Sequence, residues 1–94
     1  MLRPAGSRSS DRLYVDFLEA DFEIGFNLVD LVESAVQGGD APGAGRVLQD
    51  AEAVFRDIEE RLVRLGDDPS RPFEALLGEL RREMDLAKVH LLTT

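Results

Sequence analysis

The residues best suited to chemistry in this chain are carboxylates gathered on one segment. Between Arg12 and Arg46 there is no Lys, Arg or His, but there are seven acidic residues: Asp16, Glu19, Asp21, Glu23, Asp30, Glu33 and Asp40. Glu19 and Glu23, four residues apart, are neighbours on a helix and could bind a divalent ion weakly. Asp21 together with Glu19 or Glu23 could line a small-ligand or metal site. Di-iron carboxylate bundles, however, require inward-projecting Glu-x-x-His pairs, and the single histidine, His90, follows Ala87 at that spacing. His90 therefore reads as an interfacial or exposed imidazole. The absence of Cys removes thiolate catalysis, disulfides and cysteine-ligated zinc. Gly43-Ala44-Gly45 lacks both the preceding strand and the following Lys-Ser/Thr of a phosphate loop, and no arrangement of Ser and His suggests a triad. These residues point away from an enzyme, and neither a metal nor a cofactor is expected.

Hydrophobic spacing defines the elements that must position these groups. At 94 residues, with 44% apolar and 32% charged side chains, the chain is long enough for one domain with a modest core. Met1 to Ser9 shows no periodicity and reads as a disordered N-terminal segment, leaving a single bundle domain over 10–94. Leu13, Phe17, Ile24, Leu28, Leu31 and Ala35 recur at helical spacing. Tyr14, Leu18, Gly25, Val29, Val32 and Val36 run beside them. Gly38-Gly39 can cap this helix at its C-terminus. Asp40 and Pro42 can start a second, whose stripe is Ala44, Val47, Leu48, Ala51, Val54, Phe55, Ile58, Leu62 and Leu65. Arg46, Asp50, Asp57, Glu60, Arg61 and Arg64 fall on or near its opposite side. Gly66 and the turn at Asp67-Asp68-Pro69 lead to a third stripe of Phe73, Leu76, Leu77, Leu80, Met84, Ala87 and Leu91. No segment alternates like a strand. The spacing predicts an all-α, antiparallel three-helix bundle with helices at about 11–37, 41–65 and 72–92.

Three features break this pattern. Asp21 falls within the apolar face of the first helix, where an unpaired carboxylate would cost several kcal/mol. It should meet an Arg, a helix N-terminus or a hydroxyl. The preferred reading is a structural bond that fixes how the helices cross, with a pocket-lining carboxylate as the alternative. Gly25, one turn on, should accommodate close approach of another helix, near Phe55, or else leave a ligand-sized notch. Phe22 and Phe26 sit at the edge of the stripe, and Leu86, Val89 and Leu92 occupy an equivalent off-face position on the third helix. If these residues do not meet within one chain, they form an apolar patch of the kind that marks an interface, here between two copies in a homodimer.

Charge limits the partners. The net charge of -8 disfavours nonspecific binding to nucleic acid or anionic membranes. No apolar run approaches the roughly 20 residues needed to cross a bilayer, and Met1 to Ser10 has no apolar region following it as a signal peptide would. A soluble, cytoplasmic protein is expected.

Glu19-Ala20-Asp21-Phe22-Glu23-Ile24-Gly25-Phe26-Asn27-Leu28-Val29 and Asp50-Ala51-Glu52-Ala53-Val54-Phe55-Arg56-Asp57-Ile58 together resemble a group of short bacterial helical proteins. In that group the first helix carries Glu-Leu-Asp, an aliphatic residue and Thr-Phe. The second carries Asn-Ala-x-x-x-Tyr-x-x-Ile/Val. The resemblance spans about Phe17 to Leu62. This chain departs from it at Gly25, where the group has Thr, and at Phe55, where it has Tyr. The same two-helix unit is similar to a single tetratricopeptide-type hairpin without that repeat's Trp and Pro, and a lone hairpin needs a third helix or a second subunit to cover it. The resemblance implies a helical scaffold for protein contacts and carries no catalytic activity with it. The functional expectation is a non-catalytic protein–protein interaction domain that self-associates and offers an acidic helix to a basic or mixed-charge partner. The alternatives are a ligand- or metal-binding helical protein built on Asp21 with Glu19 or Glu23, and an acidic mimic of nucleic acid.

Overall fold

A computed structural model describes residues 3–93, with side chains from Arg12 onward. Three long helices form the fold, which contains no strand among the described residues. Helix α1 spans Arg3–Gln37, α2 spans Ala41–Leu65 and α3 spans Glu74–Leu92. Helix α1 begins earlier than the spacing predicts: backbone from Arg3 to Ser9, expected to be disordered, continues the helix, while Met1 and Leu2 lie outside the described residues.

The helix ends follow from local chemistry. Gly39 takes a φ of +78°, which glycine adopts without the steric penalty of a Cβ. This allows the Gly39 N–H to donate to the Val36 carbonyl at 3.1 Å and the Asp40 N–H to donate to the Ala35 carbonyl at 2.8 Å. The orphan carbonyls at the end of α1 are thereby satisfied. Asp40 then caps α2 by accepting from the Gly43 N–H at 3.0 Å, with Pro42 in the first turn. A helical turn at Asp67–Ser70 and a 3-10 turn at Arg71–Phe73 connect α2 to α3. Pro72 belongs to the 3-10 turn, so α3 starts two residues later than predicted.

The chain runs up, down and up. Asp21 meets Arg61, which sets α1 and α2 antiparallel. Phe22 meets Phe73 and Glu33 meets His90, so α3 runs parallel to α1. The core comprises Leu18, Phe22, Val29 and Val32 from α1, Ala44, Leu48, Ala51, Phe55, Ile58 and Leu62 from α2, Phe73 from the connector, and Leu80, Met84 and Ala87 from α3. Every member of the expected α2 stripe is buried or packed against the core.

On α1 the expected apolar rows are covered only in part: Leu28 and Ala35 pack against the core, but four members of the same row do not. Leu13, Phe17, Ile24 and Leu31 are each about half exposed, at 56%, 52%, 48% and 54%. The row beside them faces inward: Leu18, Val29 and Val32 are buried, and Tyr14 and Val36 pack against the core. Helix α1 carries two apolar faces, and the hairpin buries only one of them.

Candidate interaction surface

Asp21 lies where α1 adjoins α2. Its Oδ2 accepts from Arg61 Nη1 at 2.6 Å, and both side chains keep some exposure, 21% for Asp21 and 38% for Arg61. Asp21 thus meets an Arg, one of the three kinds of partner expected for it. Arg61, expected on or near the far side of α2, lies at the edge of the stripe instead, three residues after buried Ile58, and reaches across the helix pair. Asp21, Glu19 and Glu23 do not converge. Residues two apart on a helix do not share a face, and Glu19 and Glu23 are exposed while Asp21 is turned to Arg61. Among the described residues, no group of three or more His, Cys, Asp or Glu is placed to hold a metal ion.

Gly25 is buried, and the space beside it is filled. A Cβ built there would lie 3.0 Å from Leu80 Cδ2 and 3.7 Å from Val54 Cγ1. The close approach expected at this position is real, but its partners are Leu80 and Val54 rather than Phe55, and no ligand notch remains.

Phe22 requires a correction. It is 3% exposed and stacks on Phe73, with ring centroids 5.8 Å apart and an interplanar angle of 6°. The connector folds Phe73 back onto α1, so the ring expected at an interface between copies is part of the core. Phe26 is half-buried against that core. What stays open of the expected patch is Leu86 and Val89, each 53% exposed, with Leu92 beyond them. Leu86 and Val89 line a shallow surface concavity with Arg82, Glu83 and Asp85. At its α1 edge, His90 Nδ1 lies 2.8 and 2.9 Å from the two Glu33 carboxylate oxygens.

On the opposite side of α3, the Arg81 guanidinium sits 4.7 Å from the centroid of the Phe55 ring, a cation–π contact on a core aromatic. The Tyr14 hydroxyl is buried without a hydrogen-bond partner among the described residues.

Among the described residues, the outer stripe of α1 and the Leu86–Val89 patch of α3 remain as open apolar surfaces on a molecule whose core is already closed. No helix among the described residues is long and apolar enough to cross a membrane. No protein-family model, curated protein or solved structure matches the chain.

Proposed function

We propose that this chain is a non-catalytic helical module for protein contacts, one that also self-associates. The observation that carries the reading is the double-faced α1, which lines the core with Leu18, Phe22, Val29 and Val32 and presents Leu13, Phe17, Ile24 and Leu31 outward. Large exposed apolar side chains recurring along one side of a helix are the pattern of a contact surface. The likeness of the α1–α2 hairpin to a single tetratricopeptide-type unit fits the same role.

Self-association belongs to α3. Leu86 and Val89 are bordered by Arg82 and Asp85, so the rim carries both charge signs. A two-fold contact places each patch on its own copy, and a mixed rim can pair Arg82 with Asp85 of the second copy. The test is molar mass by light scattering over a hundredfold concentration range for the wild type and for Leu86→Asp/Val89→Asp. The proposal expects a concentration-dependent dimer that the double variant reduces to a folded monomer. A wild type that stays monomeric throughout removes self-association from the reading.

A further inference from the structure

The outer stripe of α1 is more regular than a scatter of exposed apolar residues. Leu13, Phe17, Ala20, Ile24, Asn27, Leu31 and Ser34 follow one another at alternating steps of four and three, and all are exposed. This is the heptad spacing by which one helix can seat another, with small or polar Ala20, Asn27 and Ser34 alternating with the large apolar residues. Phe17, Ile24 and Leu31 repeat at seven residues and supply the large knobs. At about 1.5 Å per residue, the run from Leu13 to Leu31 offers roughly 27 Å of helix.

The charges beside the seam select its occupant. On α1, Asp16, Glu23 and Asp30 each precede one of the large apolar residues by one position, and all three are exposed. On α2, Asp57 lies three residues beyond Val54, which packs beside Gly25, and Asp50 lies one heptad earlier. The register set by Asp21–Arg61 brings exposed Asp57 and Asp50 level with Ile24 and Leu31. Of the α2 cations on this flank, Arg61 is engaged by Asp21 and Arg64 lies beyond it, while exposed Arg46 lies one turn before Asp50, past the Leu31 end of the seam. Between Ile24 and Leu31 the seam therefore has carboxylates on both sides.

We infer that the outer seam of α1 is a docking site for an amphipathic helix of another protein, with apolar residues at heptad spacing flanked by Lys or Arg. A second copy of α1 fits poorly, because it would set Asp16, Glu23 and Asp30 against the same acidic rim, and like charges across a helical seam oppose pairing. The inference rests on the reading of this chain as an interaction module and names its partner surface.

The test uses the full chain and two synthetic 21-residue helical peptides, each with Leu at the seam positions. One carries Lys at the flanking positions and the other Glu. Fluorescence anisotropy is read at low and high salt for three proteins: wild type, Ile24→Gln/Leu31→Gln, and Asp16→Lys/Glu23→Lys/Asp30→Lys. The Lys peptide should bind wild type, at least tenfold tighter than the Glu peptide and more weakly as salt rises. The Gln variant should lose at least tenfold, and the charge-reversed variant should prefer the Glu peptide. The reversed residues are exposed, so that variant still decides the matter if the Gln variant unfolds.

The inference is overturned if both peptides bind equally, if neither binds, or if the charge-reversed variant retains the Lys preference. It is also overturned if Ile24→Gln/Leu31→Gln abolishes a wild-type homodimer, since a second copy would then be the occupant. Lys-peptide binding lost on Leu86→Asp/Val89→Asp but not on the seam changes would sink the seam while leaving the interaction-module reading intact.

Discussion

At the scale of single residues, the Asp21–Arg61 pair is the clearest link between sequence and architecture. A carboxylate inside an apolar stripe needs a partner, and the need was legible from position alone. The partner was not, because a stripe analysis files every Arg as outward-facing. Asp21 and Arg61 are equally far in sequence from Ala41, where α2 begins, and antiparallel register is the signal that joins them. The pair is half-buried, between exposed pairs worth about 0–1 kcal/mol and buried pairs whose disruption costs about 3–5 kcal/mol. Removing the Asp21 carboxylate should therefore cost about 1–3 kcal/mol by chemical denaturation. A double-mutant cycle of Asp21→Ala with Arg61→Ala should return a coupling of about 1–2 kcal/mol. Additive single effects would mean that the bond does not fix the helix crossing. Tyr14 gives the opposite expectation. Its hydroxyl is buried without a partner among the described residues, so Tyr14→Phe should leave stability unchanged or raise it by up to about 1 kcal/mol. A clear loss of stability would show that the hydroxyl is bonded.

At the scale of helices, the glycines separate packing from propensity. Alanine favours a helix interior over glycine by about 1 kcal/mol. At Gly45 and Gly78 an added Cβ meets nothing within 4 Å, so Gly45→Ala and Gly78→Ala should each raise stability by about 0.5–1 kcal/mol. At Gly25 the same methyl presses on Leu80, which is fully buried. Overpacking of about 1–3 kcal/mol then outweighs the propensity gain, and Gly25→Ala should lower the melting temperature. A Gly25→Ala protein more stable than wild type would mean that α1 and α3 sit farther apart than described.

The existence of the helices, the C-terminus of α1 and both ends of α2 were legible because Gly38-Gly39, Asp40 and Gly66 are strong local signals; the start of α1 was not, because Arg3 to Ser9 shows no apolar periodicity. The inward face of α2 was legible too, since that helix has one apolar stripe with charge opposite. Helix α1 offers two stripes of similar apolar content, set apart around its axis. Periodicity shows that both exist, but only the neighbouring helices decide which is covered. The same blindness hid Phe22, because the aromatic that covers it, Phe73, reaches it only through the fold of the 67–73 connector.

At the scale of the whole molecule, shape and charge point the same way. The radius of gyration is 16.0 Å and the extents are 59 × 18 × 14 Å, against a radius of about 12 Å for a compact chain of this length. A rod exposes more surface per residue than a sphere, so its own core buries less and added contacts contribute more to its stability. Of the seven carboxylates between Arg12 and Arg46, exposed Asp16, Glu23 and Asp30 flank the open seam, while Asp21 is engaged by Arg61, Glu33 by His90 and Asp40 caps α2. The sequence alone could state the acidity and the apolar repeat. It could not place them side by side on the solvent face, because that depends on which stripe the core takes.

That choice of face is the central claim, and the chain's lack of cysteine makes it directly measurable. Single cysteines would be introduced at Ile24, Leu31, Val29 and Val32, and thiol labelling rates read on the folded monomer at low concentration. Ile24→Cys and Leu31→Cys should label at rates near those of an unfolded control, while Val29→Cys and Val32→Cys should be slowed by at least a hundredfold. Fast labelling at Val29 and Val32 with protection at Ile24 and Leu31 would mean that α1 is turned the other way, and the outer seam would not exist.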